Sequence, residues 1–294
     1  FFNKTNNDYK IESDNFDSSI FLDNLLNNSD DFKFSKVFQN LNSNISVDFK
    51  KTFLAENTYI NNLAGNIKFK KNKITKVSLN SKFFDNKELN FSVRTNDNGE
   101  KITTLYSGNA TPLVKKYKFI KGFSDGNLNF YSIKKNNISK SQLRIYDFKL
   151  KEVPVLTKIL TLASLQGIAD MLTGEGIRFN EFEMNFTNKG TLMTIEEIYA
   201  IGPAISILMS GYIESKKLVS LRGTLVPATT LNKVIGSLPL IGNILVGKKT
   251  GEGVFGVSFK IKGPPKDLKT IVNPIKTLTP RFITRILEKI KKQK

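Results

Sequence analysis

Strict alternation of apolar and polar residues constrains this chain more than any other feature. NIKFK puts Ile67 and Phe69 on one side of an extended segment, and KVSLNSKF puts Val77, Leu79 and Phe83 on one side with Lys76, Asn80 and Lys82 on the other. LNFSV repeats the scheme with Leu89, Phe91 and Val93, and NLNFYS repeats it with Leu128 and Phe130. Further along, RFNEFEMNF sets Phe182, Met184 and Phe186 on one face, and GVFGVSFKIKG does the same for Phe255, Val257, Phe259 and Ile261. A period of two is the side-chain period of a strand. Apolar residues on one side only predict antiparallel sheet with one greasy and one wet face. LVSLRGTLV is a further strand candidate. Turns are expected at Lys71-Asn72-Lys73, Asn96 to Gly99, Ser124 to Gly126 and Asn188 to Gly190.

Helices are expected at few places. TPLVKKYKFIKG offers Thr111 as N-cap, Pro112 in the first turn and Gly122 as a stop. Pro154 and Gly174 bracket a single helix over Val155 to Leu172, apolar on more than one stripe, which suits burial against the sheet or contact with lipid. A short helix in IFLDNLL (Ile20 to Leu26) is expected within a frayed, Asn- and Asp-rich leader. The C-terminal TPRFITRILEKIKKQK gathers Phe282, Ile283, Ile286, Leu287 and Ile290 on one side at helical spacing, flanked or opposed by Arg281, Arg285, Lys289 and Lys292. Such a basic amphipathic helix either lies on an anionic membrane or caps the end of the sheet. The change of style near Lys151 divides the chain into 1–150 and 151–294.

The chain has 294 residues and a formal net charge of +19, without a cysteine or a histidine. Disulfides, thiolate nucleophiles and cysteine-ligated metals are thereby excluded, and so are the commonest general base and the commonest transition-metal ligand. No phosphate loop or paired acid and base stands out, so no enzyme and no cofactor is expected. Glu196 and Glu197 are adjacent, so a strand would aim them at opposite faces. The charge invites a nucleic-acid reading. That reading requires aromatics and arginines on the wet face, whereas Phe69, Phe91, Phe130 and Phe259 alternate onto the dry one. The longest uncharged run, Ile198 to Ile213, is broken by Gly202, Pro203 and Gly211 and is shorter than the ~20 residues that span hydrocarbon.

The run LRGTLVPATTLNKVIGSLPLIGNILVGKKTGEGVFGVSFKIKGP, followed by VNPIKTLTPRF, resembles the C-terminal domain of the AsmA-like proteins of Gram-negative bacteria, above all the large YhdP-type members. Gly223, Pro227, Asn232, Pro239 to Gly242, Gly247, Gly251 to Gly253 and Asn273-Pro274 carry the resemblance, as does the upstream VPVLTKILTLASLQGIADMLTGEGIRF. It covers about Lys151 to Phe282, with a looser match before it. The resemblance implies a long twisted antiparallel sheet curled into an apolar trough that carries phospholipid acyl chains between inner and outer membranes. It further implies a periplasmic protein held to the inner membrane by an upstream helix, with envelope proteins as further partners. On that reading the lining of the first half is Ile67, Phe69, Leu79, Leu89, Phe91, Val93, Leu128 and Phe130. In the second half it is Phe182, Met184, Phe255, Val257 and Phe259, and the uncharged SLPLIGNILVG (Ser237 to Gly247) faces the lumen, the core or a membrane. A scaffold that packs against envelope partners without conducting lipid is the alternative.

Overall fold

The computed structural model describes residues 2–5, 8–18, 42–55, 58–71, 73–116, 122–227, 256–275 and 285. The described chain is mainly β, an unclosed mixed sheet with three short helices. Hydrogen-bonded neighbours follow chain order from the first strand to the fifteenth. The chain divides into two compact units, Phe1–Ile145 and Tyr146–Lys294. The division falls inside a strand.

Unit 1 begins with β1 (Phe2–Thr5) and β2 (Asp8–Asp17), so the described part of the N-terminal leader is strand where the sequence suggested a frayed end. IFLDNLL lies outside the described residues. β2 pairs with β3 (Asn44–Ala55) in parallel, Ile11 opposite Val47, which makes the sheet mixed and not purely antiparallel. From there β4 (Thr58–Lys70), β5 (Lys73–Lys82), β6 (Glu88–Thr95), β7 (Lys101–Ser107) and β8 (Phe123–Lys135) form an antiparallel meander.

The hairpin turns come where Gly and Asn punctuate the alternation. Lys71 and Gly99 take positive φ in their turns. Ser124 to Gly126 is not a turn: the three residues lie inside β8, where Asp125 (φ 66°) and Gly126 (φ 78°) bend the strand as a bulge does. Asp and Gly are the residues that tolerate the left-handed region, so a bulge and a turn share one sequence signal.

Helix α1 (Thr111–Lys116) joins β7 to β8 and drops Leu113 onto Leu54, Ile60, Phe83 and Leu89. Its start is held by the Asn109 side chain, which accepts the Thr111 amide at 3.2 Å, so Asn109 and not Thr111 supplies the capping oxygen. The Lys116 ammonium donates to the Leu54 carbonyl at 2.7 Å.

β9 (Ile138–Leu150) leads through two helices into β10 (Ile177–Lys189) of unit 2. The single helix expected over Val155–Leu172 is two: α2 (Pro154–Leu162) and α3 (Gln166–Thr173). Ser164 at φ 58° breaks them, and a left-handed residue cannot continue a right-handed helix. The break turns one broad apolar helix into two short ones that bury Leu156, Ile159, Leu160, Ala169 and Leu172.

β11 (Leu192–Ile201), β12 (Ile205–Glu214), β13 (Leu218–Pro227), β14 (Gly256–Gly263) and β15 (Lys269–Ile275) complete an antiparallel meander. The uncharged run Ile198 to Ile213 is the β11–β12 hairpin, turning at Gly202-Pro203. Helix α2 also touches β15. The sheet is curled.

Candidate functional site

In unit 1 the registers carry the alternation across the strands. Val47, Gly65, Leu79, Phe91, Leu105 and Phe130 stand opposite one another in a single row from β3 to β8. A second row runs Ile45, Ile67, Val77, Val93, Thr103 and Ser132. Phe69 opposes Ile74, Leu89 opposes Ser107, and Ser107 opposes Leu128. Every residue named for the first half thus shares one face. Solvent scarcely reaches it: Phe91 is 7% exposed, Phe69 and Leu79 are 5%, and only Phe130 is half-buried. Phe16 stacks on Phe49 at 4.4 Å between centroids and tightens the same cluster. Toward β7 to β9 the buried face turns polar through Thr103, Ser107 and Ser132, and Ser132 shares a 2.8 Å hydrogen bond with Ser141.

In unit 2 the rows are Phe182, Ala200, Ile207, Leu225, Val257 and Pro274, then Met184, Ile198, Met209, Gly223, Phe259 and Val272. A third row runs Phe186, Ile195, Gly211, Leu221, Ile261 and Thr270. Phe182, Met184, Val257 and Phe259 therefore fall on one face, with apolar partners on strands that the alternation did not single out. This face is only half-buried at Phe182, Met184, Phe186, Ile207, Met209 and Leu221. Phe148 joins it at the β9 side, stacked on Phe179 and edge-on to Phe182. Phe255 and Ser237 to Gly247 lie outside the described residues.

The opposite face of unit 2 carries Glu183, Tyr199, Leu208, Thr224 and Ser258 in one row. Arg285 docks there. Its Nε donates to Glu197 Oε1 at 2.6 Å, and its Nη2 donates to the same oxygen and, at 3.2 Å, to Glu183 Oε1. The guanidinium carbon sits 5.4 Å from the centre of the Tyr199 ring. Asn185 Nδ2 donates to Glu183 Oε1 at 2.9 Å. Both carboxylates are buried. Burial works against the guanidinium charge, but the hydrogen bonds and charges of Glu197 and Glu183 outweigh it, so the pKa of Arg285 is raised. A raised cation contributes its full stabilisation below the ordinary guanidinium range and loses it only as the pH climbs through the shifted value.

Of the two placements open to the basic helix, on a membrane or capping the sheet, the contacts of Arg285 fit the cap: its guanidinium is committed to two carboxylates, because two buried anions need a counter-charge. The other residues of that helix, Arg281, Phe282, Ile283, Ile286, Leu287, Lys289, Ile290 and Lys292, lie outside the described residues. Glu196 is exposed and accepts from the Thr187 hydroxyl at 2.6 Å, while its neighbour Glu197 is buried. No local sequence signal announces the cluster. Arg285 stands 102 residues from Glu183 in the chain.

Among the described residues no group of acidic side chains is arranged to hold a metal ion. No described helix is long and apolar enough to cross a membrane. Comparison with protein-family models, with curated proteins and with solved structures finds no match for this chain.

Proposed function

We propose that this chain binds phospholipid acyl chains on the apolar sheet face of unit 2, as the C-terminal part of a bridge-like lipid transport protein of the Gram-negative envelope. One observation carries the reading. Rows of apolar side chains cross β10 to β15 on one face, partly exposed at Phe182, Met184, Ile207 and Met209 and buried at Ile198, Ala200, Leu225, Val257 and Phe259. A continuous apolar strip left partly wet costs free energy in proportion to its area, and an acyl chain laid along it recovers that cost. Methionine, unbranched and polarizable, suits a surface that accommodates chains of varied conformation. On this reading the protein works in the periplasm, with the inner and outer membranes as donor and acceptor.

A scaffold role is the second reading, and unit 1 favours it. A face whose phenylalanines are shut from solvent behaves as a core. Native mass spectrometry of the purified chain separates the two: co-purifying phospholipid, lost in Met184→Asp while the fold is retained, supports conduction. A lipid-free protein that takes up none from vesicles supports the scaffold.

A further inference from the structure

The two ends of the unit 2 strands differ in charge. Three hairpins turn at one end: β10 to β11, β12 to β13 and β14 to β15. That margin carries Lys189, Lys216, Lys217, Lys262, Lys266 and Lys269, all exposed. The carboxylates facing them are Asp267 and Glu214, the latter held by Lys217 at 2.8 Å. At the other end the β11–β12 turn, Gly202-Pro203-Ala204, has no charge. The segment from the end of β9 into β10 is nearly balanced there: Lys149, Lys151, Lys158 and Arg178 against Glu152, Asp170 and Glu175. The β13–β14 connection, also at that end, lies outside the described residues. Among the described residues the cationic excess thus follows one margin of the apolar face.

We infer that the hairpin margin is a head-group rail, which makes unit 2 select anionic phospholipids over zwitterionic ones. The inference rests on the lipid-binding reading above and adds the class of lipid. An acyl chain lying along β10, against Phe182, Met184 and Phe186, leaves its phosphate at an end of the strands. Ammonium groups spaced along that end are the complement of a phosphate with a net negative charge. A choline head group carries its own cation and gains less from the same lysines. The attraction is between exposed charges, so salt screens it.

The test incubates the purified full chain with vesicles of equal phosphatidylglycerol and phosphatidylcholine, re-isolates the protein and counts both lipids by mass spectrometry. Phosphatidylglycerol is expected to exceed phosphatidylcholine by at least about threefold at low salt and to approach parity at high salt. The variant Lys189→Gln/Lys262→Gln/Lys266→Gln/Lys269→Gln is expected to bring the ratio to about one at low salt while total lipid stays constant. The variant Lys151→Gln/Lys158→Gln/Arg178→Gln, at the opposite margin, is expected to leave the ratio unchanged. Bound lipid without preference overturns the rail and leaves the lipid-binding reading standing. Equal effects of the two variant sets overturn the rail in favour of net charge alone. No bound lipid of either kind overturns the reading and the rail together.

Discussion

In unit 1 the sheet face that carries Phe91 admits almost no solvent, whereas in unit 2 the face that carries Met184 is buried at Leu225, Val257 and Phe259 but partly exposed at Phe182, Met184, Ile207 and Met209. Both faces arise from the same alternation and from rows of side chains aligned by antiparallel registers. The difference lies in what fills the rows. The central row of unit 1 sets Leu79, Phe91, Leu105 and Phe130 side by side, and α1 adds Leu113 over one end. That row has one gap, Gly65, whereas all three rows of unit 2 are interrupted, by Ala200, Gly223 and Gly211. Alternation decides which way side chains point. Bulk along the row decides whether the face closes on itself or leaves room for another molecule. The two faces are thus one design at different degrees of filling, and unit 2 is the place to look for a ligand.

Both units share a bend that substitution should destroy with the largest effect. Gly65 (φ +151°) and Gly211 (φ +148°) stand mid-strand, and a Cβ at either would strike the carbonyl oxygen of the next strand, at Ser78 and Ser220 respectively. Gly65→Val and Gly211→Val each combine a forbidden conformation with a backbone clash, a cost above about 4 kcal/mol. Urea unfolding followed by hydrogen exchange should find the substituted unit unfolded in each case. Survival of either would show that its bend is dispensable and that the likeness of the units is superficial.

The comparison itself is put at risk by paired truncations. Phe91→Ala empties a closed core and should cost about 4 kcal/mol. Met184→Ala removes a half-exposed side chain and should cost about 1 kcal/mol. Equal losses in urea titrations would mean that the unit 2 face is packed as tightly as that of unit 1.

A smaller effect, about 3 kcal/mol, is expected from Arg285→Ala, which leaves Glu183 and Glu197 buried without their cation. Adding Glu183→Gln and Glu197→Gln should recover most of the loss. If the triple variant is no more stable than the single one, the arginine acts through packing and not through charge.

Much of the sheet was legible because β4, β5, β6, β8, β10 and β14 each keep one apolar side, and a period of two is a local property. β2 was not. DYKIESDNFD has no clean alternation, and its partner β3 lies beyond a long connection, so the parallel pair could be found only through tertiary pairing. β11 hid its period because a register shift between Ile195 and Ile198 lets successive residues be buried. The break at Ser164 is equally silent, since serine tolerates helix and turn alike. Alternation placed Phe182 and Met184 with Val257 and Phe259, but no sequence pattern could bring Arg285 to Glu183 across five intervening strands.

The chain-ordered strand pairing also bears on how the molecule is made. In β4 to β8 and β10 to β13 most partners are joined by hairpins of a few residues, so each new strand leaving the ribosome meets a template already formed beside it. Loop-closure entropy grows with the logarithm of loop length, so such a meander assembles by short, cheap steps. The parallel pair is different. β2 must wait for β3 across residues 18–43, and until it arrives the backbone edge of β2 stays open to any other strand in reach. The hazard of wrong pairing is therefore concentrated at the long connections, before β3 and likewise before β10 and β14.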